Sequence, residues 1–201
     1  MPRLLRKNVL FDGCFAHVIS RSIRKMKLFK DDEDFQIIRE LFMYTKRIYH
    51  YKIHHYCLMQ THFHLVVSMD DVDKFSRAMQ FVKGQYSYKF HTKYHLSGPI
   101  WRERYRSLLI EDECYLNACG QYIESNPVKA GLVNQARDWK YSSFRFYNDD
   151  VNDKIIDGYA AGGNGAGNTK EGFEDEELFE NGQAIGSPFF RFQFYEKIKG
   201  G

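Results

Sequence analysis

The sequence predicts an α+β fold, an antiparallel split βαβ sheet with helices packed on one face. Three observations lead there. Strand-like and helix-like runs follow one another in the order strand, helix, strand, strand, helix, strand, helix. The two central strand runs are separated only by Gln60-Thr61, the spacing of a hairpin. The helical runs repeat apolar residues at a helical period, so each has a face to bury.

Cys14-Phe15-Ala16-His17-Val18-Ile19-Ser20 reads as the first strand, followed by the basic turn Arg21-Ser22-Ile23-Arg24-Lys25. From Asp31 to His50, Phe35, Ile38, Leu41 and Phe42 recur at helical spacing, with Asp31 or Asp32 as N-cap. Tyr51 to Met59 and His62 to Met69 are the hairpin strands. A second helix is expected from Asp71 or Asp73 to about Tyr94, with Phe75, Met79, Phe81 or Val82, Tyr86 and Phe90 as its stripe and Gly98-Pro99 as its break. Ser107-Leu108-Leu109-Ile110 is a short apolar strand. Asp112 then caps a third helix from Glu113 to about Ser125, ended by Asn126-Pro127 because proline disfavours the helical conformation in the residue before it.

A chain of 201 residues with 43% hydrophobic content can bury a real core in one domain, residues 1–147. Residues 148–201 read as an extension, with a glycine-rich link at 160–168 and an acidic piece from Glu174 to Glu180. The basic start lacks the apolar run of a secretory signal, and nothing approaches eighteen consecutive apolar residues, so a soluble cytoplasmic protein with no membrane partner is expected. Cys14, Cys57, Cys114 and Cys119 lack Cys-x-x-Cys spacing and read as reduced. Any bound metal then needs nitrogen and oxygen ligands, which for phosphate chemistry suggests Mg2+ or Mn2+. The net charge of +3 conceals an asymmetry: residues 148–201 hold eleven acidic and five basic side chains, leaving +9 on residues 1–147. A basic body with interleaved aromatics suits a polyanion, through counterion release and base stacking.

Within the second hairpin strand, His62 and His64 flank Phe63 and so project from the same sheet face, where two imidazoles can share one metal ion. On the third helix Tyr122 and Asn126 are four residues apart, on one face. Packed over the histidine strand, that face would let Asn126 Oδ1 complete a three-ligand site and bring Tyr122 Oη to a phosphorus. A phenol, with a reference pKa of about 10, is a weak nucleophile at neutral pH and needs such help. Competing tyrosines are Tyr86 and Tyr88 on the second helix and Tyr115 on the third. The loop-borne cations Arg21, Arg24 and Lys25, and Arg102, Arg104 and Arg106, are candidate polyanion contacts.

These residues resemble the single-tyrosine HUH transposases, and especially the REP-associated tyrosine transposases. That family carries a histidine-hydrophobe-histidine strand, often after Met-Pro-Asn, and a later Tyr-Ile-x-x-Asn-Pro-Val-x-x-Gly segment. Here they read Met59-Gln60-Thr61-His62-Phe63-His64 and Tyr122-Ile123-Glu124-Ser125-Asn126-Pro127-Val128-Lys129-Ala130-Gly131. Trp101-Arg102-Glu103-Arg104-Tyr105-Arg106 and Trp139-Lys140-Tyr141-Ser142-Ser143-Phe144 add to a resemblance that spans roughly residues 10–147. It implies a ferredoxin-like HUH nuclease fold, metal-dependent cleavage and transfer of single-stranded DNA at hairpin or palindromic repeats, and a 5′-phosphotyrosine intermediate. It also implies Tyr122 as nucleophile and His62 and His64 as metal ligands. Asn126 stands where related insertion-sequence transposases have a glutamine ligand. Gln60-Thr61 replaces Pro-Asn, a change expected to alter the turn and not the ligands.

Three other readings stay open: a non-catalytic nucleic-acid binder of the RNA-recognition type, a metallonuclease using activated water, and a domesticated repeat-DNA nuclease. The sequence also leaves open whether the site forms within one chain or across a homodimer.

Overall fold

Four strands, β1 (Cys14–Arg21), β2 (Tyr51–Met59), β3 (His62–Met69) and β4 (Arg106–Ile110), pair in the order β2-β3-β1-β4, all antiparallel. The structure, a computed structural model, describes residues 10–111 and 113–158, leaving aside the side chains of Glu113 and Cys114. Asp112 as a cap, and the glycine-rich and acidic segments of the extension, lie outside the described residues. The strand order and the helices between the strands make the ferredoxin-like α+β fold that the element order predicts.

Helices α1 (Asp32–Tyr49) and α2 (Val72–Tyr94) cover one sheet face. Phe35, Ile38 and Phe42 from α1 and Phe75, Met79, Val82 and Tyr86 from α2 join Ala16, Val18, Ile53, Leu58, Phe63, Leu65 and Val67 in the core. Phe63, which separates the two histidines, meets Phe42 and Trp101 edge to face at 5.3 and 5.8 Å. That burial sets the register, because a one-residue slip would send Phe63 to the opposite face and the histidines into the core.

α1 starts on a capping box in which Asp31 Oδ1 accepts from Asp34 N (3.1 Å) and Asp34 Oδ2 accepts from Asp31 N (3.4 Å). α2 ends at Tyr94, as expected, where His95 adopts a left-handed conformation (φ 51°) and returns its N–H to His91 O.

Helix α3 (Glu113–Lys129) departs from expectation. It packs chiefly against β2, on the sheet face opposite α1 and α2, and it continues through Asn126-Pro127. Proline removes a single N–H so close to the helix end that the final turn survives. The terminator is Gly131 (φ 66°): its N–H bonds Val128 O and Leu132 N–H bonds Pro127 O, both at 2.9 Å, a Schellman closure.

The outer edge of β2 is covered by the chain that follows α3. Tyr141 O accepts from Leu58 N, Ser143 N donates to Tyr56 O, and Asp157 brackets Ile53, its N–H on the carbonyl and its carboxylate on the amide. Ile155 and Ile156 are buried in the main core. The described residues 148–158 of the expected extension therefore pack with the sheet. Helix α4 (Phe144–Asn148) joins the two covering pieces.

Candidate active site

On the sheet face beneath α3 three histidines, His17, His62 and His64, form a cluster. His62 and His64 share that face as their spacing predicts, with ring centroids 5.0 Å apart. The β1–β3 register sets Ile19 opposite His64 and Arg21 opposite His62, which puts His17 diagonal to His64. Its ring stacks on His64 at 5.1 Å and its Nε2 lies 2.9 Å from His64 Nδ1. Thr61 Oγ1 lies 2.9 Å from His62 Nδ1, so the hairpin turn reaches a candidate ligand. His17 and Thr61 were not legible as site residues: one is a single histidine in an apolar strand, the other a turn residue. Only the cross-strand register gives His17 its place.

Burial, with the added charge of Arg21, pushes the pKa of His17 and His62 down to about 4, and His64 lies well below its usual value. These imidazoles are therefore neutral at pH 7, the form whose lone pair can ligate a metal. His54, on β2, is also pushed down to about 4 by burial. A histidine with a depressed folded pKa contributes stability that is complete above the unfolded value of about 6.5 and is lost as pH falls toward the folded value. In chelator, unfolding at pH 5 should take up about three to four more protons than at pH 8, and the guanidinium midpoint should fall steadily below pH 6.5. A midpoint flat from pH 7.5 to 5 would mean that the imidazoles are not held neutral by burial.

α3 is brought against the sheet at Gly120, where a Cβ would sit 2.5 and 2.6 Å from Nε2 and Cδ2 of His55. The His55 ring cannot easily move aside. Its Nδ1 pairs with Glu124 Oε1 at 2.8 Å, both side chains are buried, and its other flank stacks on Tyr147 at 4.4 Å. Ser143 Oγ donates to the same Glu124 oxygen at 2.5 Å. Glu124 is thus committed to docking α3. Two residues before it, Tyr122 is half-buried with Lys129 Nζ 4.4 Å from its ring centroid. Asn126 is half-buried one turn on, and among the described residues no hydrogen bond joins its carboxamide to His62 or His64.

Arg21 links the strand and helix sides of this face. Burial, then the Arg106 and Arg102 guanidinium groups, pull its pKa below the usual arginine range, while Tyr122 pulls it back. Three of the six candidate DNA cations, Arg21, Arg102 and Arg106, are therefore within electrostatic reach of one another. Backbone pairing secures this: Arg102 N donates to Arg21 O at 2.9 Å, beside the Ser22–Trp101 bridge. Arg24 and Lys25 are exposed in a left-handed turn (φ 49° and 55°). Arg104 instead lines a cleft of about 510 Å³ with Arg77 and Lys83 of α2, and none of the three histidines borders it.

Among the competing tyrosines, Tyr86 is buried with its Oη donating to Leu28 O at 2.7 Å, and Tyr88 is 68% exposed on α2, across the sheet from the histidines. Among the described residues no group of three or more His, Cys, Asp or Glu side chains could hold a metal by itself. Two neutral imidazoles side by side on one face still fit a divalent ion whose remaining positions are taken by amide, phosphate or water oxygens. No described helix is long and apolar enough to cross a membrane.

Residues 11–126 match the family model described as "Transposase IS200 like". Two curated relatives are similar to the chain. A REP-associated tyrosine transposase of Escherichia coli K12 is 27% identical over 111 residues, 55% of this chain and 64% of that protein. A Haemophilus influenzae protein provisionally given the same name is 33% identical over 99 residues, 44% of this chain and 56% of that protein. The match thus spans less than two thirds of either relative. A solved structure of a REP-associated tyrosine transposase bound to a REP hairpin has the same fold, with a TM-score of 0.62 at 23% identity over 82% of this chain and 98% of that one.

Proposed function

The chain belongs to the IS200-like transposase family, and from that premise we propose that it cuts and rejoins single-stranded DNA beside a hairpin or palindromic repeat, with Tyr122 as nucleophile. The observation that carries this reading is the packing of α3 against the His62/His64 face, with Arg21 within electrostatic reach of both Tyr122 and His62. The hairpin bound to the structural relative suggests the substrate class.

In the proposed reaction Tyr122 Oη forms a bond to phosphorus as the P–O3′ bond breaks. The 3′-hydroxyl leaves with a proton and the 5′-phosphate stays on the tyrosine; attack by another 3′-hydroxyl reverses the bond changes and completes transfer. Arg21 would stabilise negative charge on the phenol oxygen and the phosphate. Arg102 and Arg106 extend that positive surface along the strand, while Arg24, Lys25 and Arg104 would contact more distant phosphates. His62 and His64, with Asn126, would hold Mg2+ or Mn2+, which when bound neutralises phosphate oxygens and orients the scissile bond for in-line attack.

Incubation with hairpin-bearing single-stranded DNA and Mg2+ or Mn2+ should give DNA that stays on the denatured protein. Chelator, His62→Ala or His64→Ala should remove that product while hairpin binding persists. Cleavage with no protein-linked strand would replace the tyrosine mechanism with activated water. Chelator-insensitive binding without cleavage would make the chain a nucleic-acid-binding module.

A further inference from the structure

Both site histidines have their Nδ1 engaged by a neighbour from outside the ligand pair. His62 Nδ1 meets Thr61 Oγ1, and His64 Nδ1 meets His17 Nε2, each at 2.9 Å. His17 and His64 are only 2% and 5% exposed, so water hardly competes for the second contact. A neutral imidazole carries one N–H and one lone pair, and whichever nitrogen holds the hydrogen cannot ligate. The partner at Nδ1 therefore decides what Nε2 can do. A threonine hydroxyl can accept from Nδ1–H, and so can the bare Nε2 of a second imidazole.

The two partners reach the site by different routes. Thr61 arrives in the hairpin turn, next to its own histidine. His17 arrives through β1, whose antiparallel register against β3 sets it one diagonal step from His64. Neither contact is needed for the sheet ladder itself, since both strands are already paired along their length.

We propose that Thr61 and His17 are positioning residues that hold His62 and His64 in the Nδ1–H tautomer, so that both offer Nε2 to one divalent cation. The proposal rests on reading His62 and His64 as ligands, as above. It assigns Thr61 a role beyond the turn, and it makes His17 an orienting group and not a third ligand.

Imidazole nitrogen NMR of the metal-free chain should find Nδ1 protonated and Nε2 bare in both His62 and His64. In Mn2+ titrations followed by electron paramagnetic resonance, Thr61→Val and His17→Leu should raise the dissociation constant about 10–100-fold, while Thr61→Ser and His17→Gln, which keep an acceptor, should stay within about threefold of wild type. Circular dichroism checks folding, and the half-exposed Thr61 pair decides the matter should His17→Leu not fold. A protonated Nε2 on either histidine, or undiminished Mn2+ affinity in the Val and Leu variants, would overturn the positioning role alone. A wild-type chain that binds no Mn2+ would overturn it together with the ligand reading.

Discussion

Tyr122→Phe should leave no DNA attached to the denatured protein, and strand cleavage should fall by about 10⁴-fold or more, the scale on which removing a nucleophile acts. The fold should not change. Tyr122 is half-buried, and the contact between its ring and Lys129 survives in phenylalanine. Hairpin binding should also persist, because the cations at Arg21, Arg102 and Arg106 are untouched. Denaturing gels of labelled hairpin DNA read the adduct, and native gels read the binding. An adduct undiminished in Tyr122→Phe would transfer the nucleophile elsewhere, with Tyr115 on the same helix the next residue to test.

Gly120→Ala should be the most damaging conservative change in α3. By helix propensity alone, alanine would stabilise the helix by about 1 kcal/mol. The new Cβ would lie 2.5 Å from His55 Nε2, closer than real side chains approach, against a ring fixed by Glu124 and Tyr147. Overpacking of that kind costs about 1–3 kcal/mol or more, and loosening a buried hydrogen-bonded pair adds to it. The clash wins, with a net loss of about 2–3 kcal/mol and a Tm lower by roughly 5–10 °C. Because α3 also carries Tyr122, lifting it from β2 should lower cleavage in the fraction that remains folded. A Tm at or above wild type would show that propensity outweighs contact at this position.

Much of the fold was legible because its elements have local causes. Alternating apolar residues mark β1 and β3, and Asp31 before an amphipathic run marks the start of α1. The end of α3 was misread because Asn126-Pro127 is a conspicuous local breaker, whereas the operative signal is a glycine in the left-handed region five residues after Asn126. At the candidate site, the His62/His64 spacing gave their shared face directly. What brings α3 onto that face was hidden, since Gly120 and Glu124 acquire meaning only beside His55, more than sixty residues away. The same holds for His17, whose partner is 47 positions on and reached only by strand pairing.

The covering of β2 bears on how the chain can be divided. An unpaired edge strand is a template on which any extended peptide can add itself, including a second copy of the same strand. Here Tyr141, Ser143 and Asp157 occupy the backbone groups of β2 that such a peptide would use. The family motifs end before residue 147, yet a chain cut there would lose Asp157 and the buried Ile155 and Ile156. It would keep its chemistry-bearing residues and the Tyr141 and Ser143 contacts, but would bare the Ile53 end of β2. The smallest well-behaved unit of this protein is therefore set by the closing of a sheet edge at Asp157, beyond the last recognisable motif.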